Sequence, residues 1–288
     1  MASSTNKHRS TFKGLTKGGS LSKLDVHAHF SIRAAKDSLM VSAAGPTPVA
    51  FAEGGRRGPL AIPRWKRVLD IGCVLLTLPI WLPLMLFISG WVKITSSGPV
   101  LFKQTRVGFG TKPFTILKFR SMATGVETST HENHFKSLVE NEVPMIKLDT
   151  LRDSRIIAGG RLLRKTGLDE LPQLFNVLRG EMSLVGPRPC LPAELECYSE
   201  PQKARFDVLP GLTGYWQVSG KNRTTFNQMV EMDLHYGQRM SVRFDLAILF
   251  MTIPALVTQA IEVRRETARR HRTEPTHAPL HSDTVRLG

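Results

Sequence analysis

Asp169 and Glu170 stand side by side in Leu168-Asp169-Glu170-Leu171-Pro172-Gln173-Leu174, and Arg188 follows about one helix-length later in Gly186-Pro187-Arg188-Pro189. An ionised aspartate can attack an activated phosphorus and split one transfer into two. Two neighbouring carboxylates also offer ligands to Mg2+, which binds through one or two carboxylates plus substrate phosphates. Such chemistry needs cations to offset phosphate charge. The candidates are Lys118 and Arg120, Arg152 and Arg155 in Leu151-Arg152-Asp153-Ser154-Arg155, and Arg188. Prolines on both sides of Arg188 restrict its backbone, and a guanidinium fork matches phosphate oxygens two at a time.

Pro172 sets the local frame. Proline costs no hydrogen bond in the first helical turn, so a helix beginning around Asp169 accommodates it. In a second frame Thr166 is the cap and Asp169 lies three residues on, a capping-box-like pattern. Either frame puts Asp169 at the positive end of a helix, where a carboxylate stays ionised. The spacing alone does not separate a helix cap from a nucleophile.

The net charge of +15 is carried by the ends of the chain. Residues 1–67 hold 12 basic and 3 acidic side chains and residues 264–288 hold 6 and 3, which leaves 21 against 18 for residues 68–263. No basic stripe across a folded face is indicated, so nucleic acid is not an expected partner. Basic residues beside an apolar segment fit an anionic membrane surface, at roughly 1 kcal/mol each. Cys73, Cys190 and Cys197 form an odd set without metal-type spacing, as in a reduced cytoplasmic setting. Residues 1–40 lack an apolar core with a cleavage site, so no signal peptide is expected.

Residues 1–58 read as a disordered N-terminal extension and 264–288 as a charged tail. Ile71 to Val92 contains no charged residue and is long enough to cross a bilayer. Pro79 and Pro83 interrupt it, and basic residues flank both ends, with Arg56, Arg57, Arg64, Lys66 and Arg67 before and Lys93, Lys103, Arg106 and Lys112 after. A helix-break-helix hairpin returning to one face satisfies both flanks, with the break at Pro79 and Pro83. A proline-kinked span is the alternative. Beyond it, residues from Gly98 to Gln104 and from Lys112 to Phe119 predict two strands joined through Gly108 and Gly110. A polar helical insert is expected from about Thr128 to Asn141, then one or two helices from Arg161 to Leu178 broken near Gly167 and Pro172. The uncharged run between Asp245 and Glu262 predicts an interfacial or core helix.

From Pro63 to Thr258 the chain resembles the bacterial sugar transferases, the monotopic phosphoglycosyl transferases. The resemblance lies in an ordered set: Lys66-Arg67 with Asp70, Gly98-Pro99-Val100 with Phe102 and Gln104, Arg106 with Gly108, and Lys118-Phe119-Arg120-Ser121-Met122. It continues through Asp153 and Arg155, Leu168 to Leu174, Asn176-Val177-Leu178, Met182 to Pro189, Pro210 to Gly214, Trp216-Gln217-Val218, Asp233 with Tyr236, and Asp245.

The resemblance implies an α+β fold: a re-entrant membrane anchor at 59–95, then a small, mainly helical catalytic domain with a β-hairpin at 96–263. It implies that Asp169 is the nucleophile and that Glu170 is its partner, the two associated with Mg2+. Asp169 would attack the β-phosphorus of a UDP-sugar, release UMP, and pass the sugar phosphate to a polyprenyl phosphate such as undecaprenyl phosphate. Lys118, Arg120, Arg155, Arg188, Gln217 and Arg223 are the expected substrate-binding residues. The expected location is the cytoplasmic face of a bacterial inner membrane, upstream of other glycosyltransferases in exopolysaccharide or glycoconjugate synthesis. In the family the break often carries Ser-Pro; here Leu82 precedes Pro83, and Thr77 is the nearby hydroxyl. The insert from Thr124 to Asp149 is long, and residues 1–58 offer no further spanning helices, so a minimal catalytic core is expected. A membrane-anchored scaffold and an aspartyl-phosphate phosphatase are the competing readings.

Overall fold

The apolar segment folds as two helices. α1 covers Arg64–Leu76 and α2 covers Leu78–Thr95, with Thr77 between them. The computed structural model describes residues 58–123, 135, 137–144, 156–219 and 224–256, all within one compact unit spanning residues 40–288. The N-terminal extension up to residue 57, most of the insert, Arg152, Arg155, Lys221-Asn222-Arg223 and the charged tail lie outside the described residues.

The break between α1 and α2 falls earlier than the prolines suggest. Pro79 occupies the first turn of α2, where its missing N–H leaves no bond unmade, and Pro83 sits inside the continuing helix. Carbonyls freed at the break need donors. The Val74 carbonyl takes the Trp81 indole N–H at 2.9 Å and the Thr77 hydroxyl at 3.4 Å, while the Cys73 carbonyl keeps its helical bond from the Thr77 N–H and accepts the Thr77 hydroxyl as well, at 2.7 Å. The work expected of a Ser-Pro hydroxyl is thus done by Thr77 and an indole.

α2 buries a single stripe, Trp81, Met85, Ile88 and Val92, at helical spacing. Its other sides stay exposed and apolar, with Ile80 at 73% and Ile94 at 87%. α1 turns the opposite way in composition, since its inner face is ionic. Lys66 and Asp70 are each 1% exposed. Lys66 donates to Asp245 Oδ2 at 2.6 Å, the Tyr236 hydroxyl at 2.9 Å and the Val185 carbonyl at 3.0 Å. Arg67 donates to the Val177 and Leu178 carbonyls. Two of the basic residues read as membrane-facing flanks therefore point into the protein instead.

β1 (Leu101–Val107) and β2 (Pro113–Phe119) form the expected antiparallel hairpin, with Gly110 in the left-handed region at its turn. The register pairs Phe102 with Lys118, Gln104 with Ile116 and Arg106 with Phe114. Directly paired residues share a face, so Gln104, Arg106 and Lys118 emerge on the same side. Of the insert, residues 137–140 are helical and Phe135 packs edge-on against Phe226.

α3 (Gly160–Thr166) ends at left-handed Gly167, and α4 (Gln173–Arg179) starts after Pro172, as the sequence predicts. The strands β3 (Ser183–Val185) and β4 (Gly211–Thr213) pair in parallel. Short α5 (Tyr215–Ser219) leads to α6 (Phe226–Arg239), whose N-terminus carries a Thr225/Gln228 capping box. The last helix, α7 at 242–256, is both core and surface: Phe244, Ala247 and Ile248 are buried while Phe250 and Ile253 are exposed.

Candidate active site

Asn176 ties α4 to the hairpin. Its Oδ1 accepts from the Leu117 N–H at 3.1 Å and its Nδ2 donates to the Thr115 carbonyl at 2.8 Å. That link carries the turn ahead of α4 against β2. The turn is a 3-10 helix, Leu168–Glu170, so the frame with a helix starting near Asp169 is met by a tight turn and α4 proper begins later. Thr166 is no cap: it closes α3, its hydroxyl donating to the Leu162 carbonyl at 2.8 Å. Asp169 and Glu170 are half-buried in this turn.

A second loop brings Arg188. Gly186 and Gly211 pass so closely that a Cβ on Gly186 would lie 2.2 Å from the Leu209 carbonyl oxygen, and one on Gly211 would lie 2.1 Å from the Gly186 nitrogen. Only hydrogen fits there. The Gly211 N–H donates to the Pro187 carbonyl and the Gly186 N–H to the Thr213 carbonyl, fixing the backbone that enters Arg188. The Arg188 carbonyl in turn accepts from Arg205 Nη2 at 3.0 Å. Arg205 is anchored by Asp233 at 2.6 Å and by the Tyr198 hydroxyl.

The two loops meet at Glu170. Its Oε1 takes Lys118 Nζ at 3.0 Å and Arg188 Nη2 at 3.4 Å. Burial pushes the Lys118 ammonium down from its ordinary pKa, with Glu170 opposing the change, while Glu170 raises Arg188. The side chains of Lys118, Glu170 and Arg188 keep 15%, 19% and 30% of their surface, so ligand can reach them. Their value lies in the field they set beside Asp169, whose carboxylate acts on both cations.

Of the other expected residues, Arg120 is directed elsewhere. It is 3% exposed and its guanidinium donates to the carbonyls of Ser96 and Ser97, closing the end of α2. Gln217 sits on α5 with its Oε1 buried and without a hydrogen-bond partner among the described residues. Arg155 and Arg223 lie outside the described residues. Arg106 enters the neighbourhood although it was read only as a flanking charge and a motif residue. Burial, then the Arg188 cation, lowers its pKa to about 10. Arg205 escaped the sequence reading altogether, and Asp233 was noted only within the resemblance; nothing local signals a buried pair made across 28 residues.

Among the described residues no group of three or more His, Cys, Asp or Glu could hold a metal. Asp169 and Glu170 nevertheless supply the hard oxygen donors that suit Mg2+, whose remaining ligands are commonly substrate phosphates and water.

The chain is 40% identical over 195 residues to the exopolysaccharide production protein ExoY of Sinorhizobium fredii, covering 66% of this chain and 84% of that protein. It is 42% identical over 194 residues to an undecaprenyl-phosphate galactose phosphotransferase of Salmonella typhimurium, covering 65% of this chain but only 39% of the relative's length. With a UDP-glucose:undecaprenyl-phosphate glucose-1-phosphate transferase of Caulobacter vibrioides it shares 39% identity over 213 residues, 71% of this chain and 74% of the relative. Residues 62–259, which hold both carboxylates and every cation gathered around them, match the family described as bacterial sugar transferase, and the chain belongs to that family.

Proposed function

We propose that this phosphoglycosyl transferase moves a sugar-1-phosphate from a UDP-sugar to undecaprenyl phosphate through a covalent aspartyl-phosphosugar intermediate, opening exopolysaccharide synthesis. The observation that carries the reading is the convergence of Lys118 and Arg188 on Glu170, directly beside Asp169. The names of the Salmonella and Caulobacter relatives support the lipid acceptor, and the latter name supports the UDP-sugar donor.

The Asp169 carboxylate attacks the β-phosphorus of the donor; the bond to the bridging oxygen breaks and UMP departs with that electron pair. Glu170 holds Lys118 and Arg188 in place, and these cations offset charge on the transferred phosphate. The polyprenyl phosphate then attacks the same phosphorus, returning Asp169 to its carboxylate. Asp169 and Glu170 would hold Mg2+, which when bound would help neutralise the diphosphate.

The exposed apolar sides of α1, α2 and α7 support attachment to a membrane. Leu78–Thr95 is the one described helix long and apolar enough to cross a bilayer. The break at Thr77 supports a re-entrant path with both ends on the cytoplasmic face. Cysteine labelling at positions near 60 and 97, with Cys73, Cys190 and Cys197 replaced, tests the path: access from opposite sides overturns it. For the reaction, purified protein is incubated with Mg2+, a panel of UDP-sugars and undecaprenyl phosphate. UMP release with formation of a lipid product, both lost in Asp169→Asn, is expected. Sugar phosphate set loose without a lipid product would instead indicate a hydrolase, and no turnover a scaffold.

A further inference from the structure

Arg106 lies among the charges of the site, yet no carboxylate of the described residues comes within ion-pair distance of it. Its Nε and Nη2 both donate to Gln104 Oε1, at 3.1 and 2.8 Å, and its Nη1 reaches the Pro189 carbonyl at 3.4 Å. Lys118 and Arg188, by contrast, both engage Glu170. Glu194 also acts on Arg106, but from beyond pairing distance, and its Oε2 is taken by the Leu191 N–H at 2.8 Å. A guanidinium oriented by a neutral amide keeps its full charge. Set beside Arg188 in a partly dehydrated place, each cation raises the cost of the other, and an anion between them relieves both. On the hairpin Arg106 stands opposite Phe114, four residues along β2 from Lys118, and its Nη1 reaches Pro189, the residue after Arg188. Arg106 therefore lies along the hairpin from the Lys118–Glu170 contact, on the Pro189 side of the site.

We propose that Arg106, oriented by Gln104, binds the phosphate of the departing nucleotide. The inference rests on the donor reading above. As the bond from Asp169 to the β-phosphorus forms, the electron pair of the breaking P–O bond leaves with UMP, and charge grows on the nucleotide phosphate. Lys118 and Arg188 lie where the transferred phosphate sits; Arg106 faces the group that leaves. An arginine is suited to this position because its two-pronged clasp by Gln104 aims the remaining edge, and a lysine could not keep that geometry.

The test is steady-state kinetics on the full chain with UDP-glucose or UDP-galactose, undecaprenyl phosphate, and UMP as product inhibitor. In Arg106→Gln, kcat/KM for the donor falls by about 30-fold or more, while kcat/KM for undecaprenyl phosphate changes by less than about threefold. Inhibition by UMP weakens by about tenfold or more. Gln104→Glu guards against misfolding of the first variant. It keeps the clasp and gives Arg106 a carboxylate, so Tm holds or rises while donor kcat/KM and UMP inhibition fall as in Arg106→Gln. Equal losses for both substrates, unchanged UMP inhibition, or full activity in Arg106→Lys overturns the assignment. Absence of UMP release by the unmodified enzyme from either donor overturns the donor reading itself, and the role of Arg106 with it.

Discussion

Lys66 and Lys118 each meet a carboxylate, under opposite conditions. Lys66, 1% exposed, is wrapped by Asp245 at 2.6 Å, the Tyr236 hydroxyl at 2.9 Å and the Val185 carbonyl at 3.0 Å. Lys118 keeps 15% of its surface and meets Glu170 at 3.0 Å, an oxygen it shares with Arg188. In the first cluster every proton of the ammonium has an acceptor, so there is nothing left to bind. In the second, among the described residues, Lys118 and Arg188 share one carboxylate oxygen, and Arg106 is a third cation nearby. A closed cluster of this kind joins α1 to β3, α6 and α7 and serves the fold, whereas an open one serves an incoming anion.

The largest way to break the contrast is Asp169→Asn. It removes the carboxylate proposed to attack the donor and is expected to cut UMP release by roughly 10⁴-fold or more, following the behaviour of removed nucleophiles. Because the turn is not a stability device, Tm is expected to move by no more than a few degrees. A large drop in Tm would place Asp169 with the closed clusters instead.

Lys66→Met attacks the other side. It strands Asp245 in the interior, and removal of one partner of a buried pair costs about 3–5 kcal/mol. Denaturant unfolding measures this directly. The double change Lys66→Met with Asp245→Leu removes both charges and is expected to recover a good part of that loss, since two apolar groups leave no buried ion unpaired. A double variant as unstable as the single one would mean that the network's hydrogen bonds to Tyr236 and Val185, not its charges, hold α1.

Arg205→Lys tests the connection between the two kinds of cluster. Arg205 is closed and buried, yet it donates to the Arg188 carbonyl and so steadies an open-site residue. Lysine cannot span Asp233, Tyr198 and that carbonyl at once. Stability is expected to fall by about 2 kcal/mol, with donor kcat/KM down roughly tenfold at temperatures where the variant is folded. Unchanged kinetics would show that the flanking prolines and glycines alone hold Arg188.

These clusters also mark how far the sequence could be read. The hairpin was legible because β-forming residues bracket Gly108 and Gly110, and the α3–α4 interruption because Gly167 and Pro172 act through local sterics. The break was placed at the prolines although Thr77 had been noted as the nearby hydroxyl, because Pro79 fits the first turn of α2, Pro83 is carried inside it, and the Trp81 indole that serves the Val74 carbonyl has no sequence signature. Arg120 looked like a ligand-binding arginine for the same reason: a cation in a strand end says nothing of the Ser96 and Ser97 carbonyls that lie opposite it in space. Charges that meet across a hundred residues, as Lys66 and Asp245 do, leave no local pattern. Asp169 and Glu170 were legible as adjacent carboxylates in a turn ahead of Pro172, while the role proposed for them came from the resemblance and not from that spacing.

The smallest expected effect comes from a residue of neither cluster. His235 on α6 lies among the rings of Tyr215 and Phe244, with centroids at 5.8 and 6.2 Å, and burial, then the Arg239 cation, lowers its pKa. The folded protein thus favours the neutral imidazole more than the unfolded chain does. That preference adds stability above the unfolded value, about 6.5, and the contribution is lost as pH falls toward the depressed folded value. His235→Phe keeps a ring against Tyr215 and Phe244 but carries no proton. Its stability should therefore decline less steeply than that of the unmodified protein between about pH 6.5 and 5. Identical slopes would mean that solvent already screens Arg239 from the imidazole and that the acid sensitivity of the fold arises elsewhere.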